Sequence, residues 1–543
     1  MSVRVVVAAL TAGFLALAAC SAEKPKQEQK AGTIKIFAQQ NADQHLSNSP
    51  FTKRVQQKLG VTLTFETTTW DSAAAKEKRQ ISLASGDLPD VYMLIPWVDA
   101  FSPAELIRMG KQGVLVPLND LIDKYAPNVK KALESMPDFK RLATAPDGKI
   151  YGMPQWNDCF HCSYPSKFWM NSAWLKKLGL KQPTTPDELR EVLKAFKAKD
   201  PNGNGKADEI PLSANTANPL LPYLMNAFVY DPQATGAYGS TLAVNAGKVQ
   251  LQAVQPGWRE GLRYIAGLYK DGLIDQAAFT QNGDAMKAKG DKAGASVVGA
   301  ATVHHPAQLV TLGQKDRRDR DYDAVAPLTG PSGAQYATYI LPSLPGASFV
   351  ITSKASEATQ IAAIKLLDYL FTDEGHVLGQ VGEEGKDWAK AGPGDVALDE
   401  SLKPSFKTLT QPEGAPKREG AWGPMAEYDN TKEFRNAQVT STDIYDQAGY
   451  ERRLFKAAEL YAGKEPKDQV FPIWHTKIAP EEAGELATLQ TNIDNYVNQF
   501  SLQFVTGQKN IDDDSAWQAY LDGLNGLSLT RYLQIQQKAY DAL

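Results

Sequence analysis

Residues Lys199–Ser213 read KDPNGNGKADEIPLS, and oxygen-bearing side chains alternate through them at Asp200, Asn202 and Asn204 before Gly205, Asp208 and Glu209. Ca²⁺ takes six to eight oxygen ligands at ~2.3–2.6 Å, so a chain coiled around one ion offers side chains at positions 1, 3 and 5, a carbonyl at 7 and carboxylates after it. On that spacing Asp200, Asn202 and Asn204 supply side-chain oxygens, Lys206 its carbonyl, and Asp208 and Glu209 carboxylates. The usual closing glutamate would fall at Pro211, so Glu209 takes that part. A plain Gly/Asn surface turn has the same composition; the alternation favours a structural calcium loop over it.

Outward from the loop the chain becomes more specific. Phe168–Ser213 (FWMNSAWLKKLGLKQPTTPDELREVLKAFKAKDPNGNGKADEIPLS), Leu83–Val91 (LASGDLPDV), Val116–Pro127 (VPLNDLIDKYAP), Ala145–Tyr151 (APDGKIY) and the tail from Phe504 (FVTGQKNIDDDSAWQAYL) together resemble the large solute-binding lipoproteins of ABC importers, in the branch that includes the alginate-binding proteins. The resemblance extends over nearly the whole chain after residue 30. It implies an α/β, two-lobe periplasmic-binding-protein-like fold with discontinuous lobes and a helix-rich C-terminal part. Lobe one would be residues 32–155 and 342–405, and lobe two 156–341 and 406–543, with the cleft between them. It also implies a monomer that binds an oligosaccharide and presents it to an ABC permease.

The N-terminus agrees with export. Met1–Ala19 carries one basic residue, Arg4, then an apolar run through Leu17, and Cys20 follows Ala18-Ala19. A short apolar core ending in small residues is a secretory signal rather than a membrane span, which needs ~20 apolar residues. The cysteine makes it a lipobox, so cleavage before Cys20 would leave a lipidated N-terminus on a flexible tether of residues 20–31. That places the body outside the cytoplasm, held to a membrane face. Composition adds bounds: 543 residues, 43% hydrophobic, 22% charged and a formal net charge of −4 suit two or three cores and give no basic excess for nucleic acid. The remaining cysteines, Cys159 and Cys162 in DCFHC, suit a redox pair, half a metal site or a local disulfide; in an exported protein with no second CxxC, the disulfide is favoured.

Periodicity outlines the body. Thr33–Ala38 and Val61–Thr68 read as strands, Phe51–Leu59 and Ala73–Ser85 as helices, and Asp90–Leu94 as the next strand, an α/β unit with a parallel sheet. Ligands sit beyond the carboxyl ends of such strands, which puts Trp70 and Trp97 at the rim. Ser296–Ala301 reads as a buried strand, Trp174 and Trp258 as core residues on helices, and the C-terminal third as mostly helical.

Enzyme signatures are absent: there is no G-x-S-x-G, H-E-x-x-H or Walker loop. His304 and His305 adjoin, and consecutive residues on a strand face opposite ways. Saccharide clefts pair aromatic platforms with hydrogen-bonding and charged side chains. Trp156, Trp388, Trp422 and Trp474 lie in polar, Gly/Pro-bearing loops suited to that use. The alginate-binding relatives carry a cleft tryptophan matching Trp422, and an aromatic where this chain has His304. Lys167 and Arg418 are the cations considered for an anionic sugar, and Arg317–Asp321 reads as a solvated loop. A peptide cargo, and a secreted carbohydrate-active enzyme, stand as alternatives.

Overall fold

The computed structural model describes residues 32–42, 44–232, 241–409, 419–473 and 475–543. The signal, Cys20 and the tether through residue 31 lie outside them, as does Trp474. Seven strands build two sheets: β1 (Thr33–Gln39), β2 (Thr62–Thr68), β3 (Val91–Met93), β4 (Phe168–Asn171), β5 (Ala300–Thr302), β6 (Tyr322–Val325) and β7 (Phe349–Ile351).

The first sheet has the order β2-β1-β3-β7; β1 runs parallel to β2 and β3, and β7 is antiparallel to β3. Local signals set its connections. Ser49 accepts a hydrogen bond from the Phe51 N–H at the start of the helix Pro50–Leu59, and Asp71 does the same for Ala74 at the start of Ser72–Ser85. Both helices stop at a left-handed glycine, Gly60 and Gly86. Ile34, Ile36, Phe51, Val55 and Leu63 then meet Ile364, Leu367 and Leu370 of the helix Glu357–Leu370 in one core. The same core takes in Ala421, Trp422, Met425, Ala426 and Tyr428. This corrects the expected division, since part of the 406–543 segment returns to lobe one.

The second sheet has the order β5-β4-β6, antiparallel throughout. Of the expected strand Ser296–Ala301 only Ala300 and Ala301 join its ladder, which runs on to Thr302; Val298 and, from its other side, Ala301 bridge in parallel to Ile210 and Ser213. The downstream flank of the Asp200–Glu209 loop is thereby stitched to this lobe. Around the sheet, Trp174, Phe196, Trp258 and Ile265 pack with Ile493, Val497, Trp517 and Tyr520 of the C-terminal helices Ala483–Val505 and Asp514–Gly526. The expected solvated loop Arg317–Asp321 turns inward: the Arg318 guanidinium is buried and donates to the carbonyls of Gly290, Lys292 and Gly294, which close an otherwise open turn.

Three chain segments cross between the lobes side by side. The Asn157 N–H donates to Pro342 O (2.7 Å), Ile340 N–H to Ser163 O (2.9 Å) and Asn430 N–H to Trp156 O (2.9 Å). Away from the crossings the lobes also touch where His475 Nε2 lies 3.1 Å from Asp138 Oδ1, and where Ala483–Val505 packs on the helix Pro103–Lys111. Among the described residues, no helix is long and apolar enough to cross a membrane.

Candidate functional site

In the Asp200–Glu209 loop, Asp200 (φ 43°), Gly203 (φ 73°) and Gly205 (φ 71°) take left-handed backbone, so the chain coils on itself. Asp200 gathers three N–H donors: Gly203 and Asn204 to Oδ1 (2.9 and 3.1 Å) and Gly205 to Oδ2 (3.1 Å). Asn202 Oδ1 accepts from Asn204 N–H and Asn204 Oδ1 from Lys206 N–H, while both amide NH₂ groups turn to Asp208 Oδ1 (3.1 and 3.0 Å). Those amides and the Lys292 ammonium, 3.0 Å from Oδ2, hold the Asp208 carboxyl down at about 2. Glu209 differs: its Oε1 is buried without a hydrogen-bond partner, and burial, then Asp200 and Asp208, push its carboxyl up. Four oxygen-bearing side chains and an orphaned carboxylate oxygen, with like charges crowded together, fit a hard cation; Lys206 is exposed beside them.

Cys159 and Cys162 are joined in a disulfide. The turn it closes points Phe160 and His161 at different neighbours: the Phe160 ring lies 4.6 Å from Phe455, and His161 Nε2 lies 3.2 Å from Glu451 Oε2. Lys167 is fully buried and donates to the carbonyls of His161 (2.6 Å) and Tyr164 (2.5 Å), fastening the turn; burial pushes its ammonium down to about 7. It therefore offers no free cation to a ligand.

His161 belongs to a cluster at the junction of the lobes. The His304 ring centroid lies 5.7 Å from that of His161 and 5.6 Å from that of His305, and His305 Nδ1 is 3.0 Å from the Tyr450 hydroxyl. His304 and His305 stand on a bend after β5 rather than on a strand, so the two rings sit side by side and not on opposite faces. Burial drives all three imidazoles down, His305 to about 4, and leaves them neutral at pH 7. Burial alone would raise Glu451, but His161, Arg435 and His305 outweigh it and hold the carboxyl at about 2; Arg435 comes within 3.6 Å. Glu427 goes the other way. Its Oε2 accepts from Asn157 Nδ2 (2.8 Å), yet burial pushes it up to about 7 against Arg435 and Gln380. The Glu451 side chain is 33% exposed although ringed by charged groups, so solvent reaches this crevice.

The tryptophans divide. Trp422, expected to be a cleft platform, is 1% exposed in the lobe-one core, 4.5 Å from the Phe51 ring, and its indole N–H donates to Thr52 Oγ1 (2.8 Å). That bond satisfies the polar edge that would otherwise keep such a residue near water. Trp388 is half-buried in a two-stranded ladder with Phe406 and bonds Gly382 O (3.0 Å), a packing role. Trp156 stays half-buried on the first crossing, edge-on to Phe139 and next to Asn157. Trp70, half-buried, follows β2 with its indole nitrogen unpartnered, and Trp97, after β3, is 41% exposed. The structure thus links His304, through His161, to Glu451, Arg435, Glu427 and Asn157, four residues that sequence reasoning missed, and Trp156 enters only as the chain neighbour of Asn157. Glu427 lies only five positions beyond Trp422, yet it carries no pattern of its own.

A model of the bacterial extracellular solute-binding proteins matches residues 37–377. The chain belongs to that family. The fructooligosaccharide ABC transporter substrate-binding protein FusA of Streptococcus pneumoniae is 30% identical, with 98% of this chain and 96% of that one covered. Its structure in complex with kestose superposes with a TM-score of 0.71 at 28% identity, over 94% of this chain and 99% of that one. An EF-hand mutant of FusA with fructo-nystose gives 0.72, again at 28% identity and over 94% and 99% of the chains. Lipoprotein LipO of Bacillus subtilis is 25% identical over 70% of this chain and 72% of its own. As an extracellular solute-binding protein, this chain shares its fold end to end with oligosaccharide-binding members of ABC systems.

Proposed function

We propose that this protein is the receptor of an ABC importer, tethered by a lipid on Cys20, that closes its lobes on a neutral oligosaccharide and delivers it to the permease. The observation that carries this is the end-to-end likeness to a kestose-bound relative, combined here with a polar crevice where the crossings meet. Sugar hydroxyls donate well to ionised carboxylates; Glu451, beside neutral imidazoles, is such an acceptor, and Glu427 becomes one as pH rises through about 7. A uronate is disfavoured. Arg435 already faces Glu451, and Lys167 is consumed by two carbonyls. Trp70 and Trp97 extend the site along the lobe-one rim.

Calcium belongs in the Asp200–Glu209 loop as a structural ion. Asp200, Asn202, Asn204, Asp208 and Glu209 would hold it with the Lys206 carbonyl, and it would neutralise the crowded carboxylates. The loop sits on the lobe-two sheet and not on a crossing, so its effect is on stability. Closure provides the transport signal, because a ligand that binds both lobes shifts the hinge equilibrium by its differential affinity. The test is thermal stabilisation of the protein by neutral oligosaccharides, uronic-acid oligosaccharides and short peptides, with recovery of the ligand. Stabilisation by a neutral oligosaccharide recovered intact supports the reading. A response confined to peptides replaces the cargo, and a cleaved sugar makes the protein an enzyme.

A further inference from the structure

Behind the disulfide turn lies a second cavity of about 400 Å³, and neither Glu427, Glu451, Trp156 nor the histidines of the crevice line it. Phe160, Tyr164 and Tyr339 give it aromatic walls, with Tyr164 5.9 Å from the Phe160 centroid and 5.5 Å from that of Tyr339. Its charged groups are two acids, Asp158 and Glu465, and two exposed lysines at the mouth, Lys432 and Lys467. Glu465 is already engaged, accepting from the Tyr164 hydroxyl (3.1 Å) and the Gly463 N–H (2.8 Å). Asp158 is half-buried, and its carboxylate makes no hydrogen bond or ion pair among the described residues. Burial at such a position raises a carboxyl unless donors arrive, and Asp158 is raised despite Lys432.

We propose that this cavity is a second binding site, separate from the interlobe crevice, for a single neutral monosaccharide. The size lies at the lower end of small-ligand pockets, which run from ~300 to ~1,000 Å³. The lining matches one sugar ring: aromatic faces for its C–H side and a carboxylate free to take two hydroxyl donors. Two acids and two lysines cancel in charge, so neither an anion nor a cation is selected. The position gives the site a consequence. Its walls come from the first crossing (Asp158–Tyr164) and the second (Tyr339–Leu341), which are bonded to each other through Ile340 N–H and Ser163 O, so an occupant touches the segments that bend during closure. By linkage, a monosaccharide held there changes the affinity of the crevice for its own ligand, and the reverse holds by the same factor.

The experiment is ligand-observed NMR and calorimetry on the full-length protein with glucose, fructose and galactose as probes and glycine as the zwitterionic control. At least one of the three sugars should bind, and binding should survive Glu427→Gln, which alters only the crevice. Asp158→Asn should weaken it about ten-fold, the worth of one charge-assisted hydrogen bond. Tyr339→Leu should remove it. Lys270→Gln, at an exposed position outside both sites, serves as the control for folding and should leave the sugar bound. No sugar binding, binding lost in Glu427→Gln but kept in Asp158→Asn, or glycine displacing the sugar would each overturn the proposal. The outcome is independent of the oligosaccharide panel, which reads the crevice.

Discussion

Trp422 and Glu427, five positions apart, face opposite problems. Trp422 was readable as a tryptophan in polar surroundings, but polarity of neighbours does not reveal that Thr52, far away in sequence, supplies an acceptor for its indole inside lobe one. Trp422→Ala should therefore cost about 3–5 kcal/mol of stability, whereas Trp422→Phe should cost about 1 kcal/mol for the lost hydrogen bond and leave oligosaccharide affinity unchanged. Chemical denaturation and titration of the two variants separate a core residue from a platform. Glu427 has a folded pKa of about 7, above the ordinary carboxyl value, because burial disfavours its ionised form. The resulting cost is absent below the ordinary carboxyl range, grows as pH rises through about 7, and is constant above it. Glu427→Gln removes it, so the variant should gain about 1–2 kcal/mol on the wild type between about pH 4 and pH 8, less than the full shift because solvent reaches the crevice. Equal pH profiles for the two would show that Glu427 is not strained by burial. Its oligosaccharide affinity should fall below that of the wild type as pH rises through about 7, where the wild-type group becomes a carboxylate acceptor, and the two should converge at lower pH.

Elements were far more legible than residues. The helices Pro50–Leu59, Ser72–Ser85 and Glu357–Leu370 announce themselves by apolar spacing and by their capping residues, and the β1 and β2 segments by β-branched alternation. Ser296–Ala301 shows the limit, because a short apolar run does not say how many of its residues will find a ladder partner. For the Asp200–Glu209 loop the donors were visible, and the buried orphan oxygen of Glu209 was not. Saturating Ca²⁺ at 100 times its dissociation constant should add about 2.7 kcal/mol. Asp200→Ala should abolish the difference between calcium and chelator in a melting experiment, and an unchanged difference would move the ion elsewhere. Reducing the Cys159–Cys162 disulfide should cost about 2 kcal/mol, the entropy of closing so short a loop, and should weaken oligosaccharide binding as well, because the turn positions His161 against Glu451.

At the scale of the molecule, the two large cores share no residue, and the crossings meet edge to edge in backbone hydrogen bonds. Such a build bends at the crossings and stays rigid elsewhere. Saturating oligosaccharide should shrink the radius of gyration in small-angle scattering, and an unaltered profile would mean that the protein binds without closing. The contact of His475 with Asp138 ties the lobes outside the crevice; Asp138→Ala should lower affinity by about 0.2–1 kcal/mol, the range of an exposed pair. The discontinuous lobes came from family likeness alone, for no local pattern tells a strand to skip a whole lobe before pairing. That skip has a temporal side. β7 completes the first sheet beside β3, yet it is made only after every strand of the second sheet. A chain emerging N-terminus first must hold β1, β2 and β3 with an unpaired edge until the other lobe has appeared, and unpaired edges invite aggregation. The first lobe to be started is thus completed only once its core receives Tyr428, and the second later still, with the C-terminal helices, which makes the early strands natural clients for holding factors in the interval.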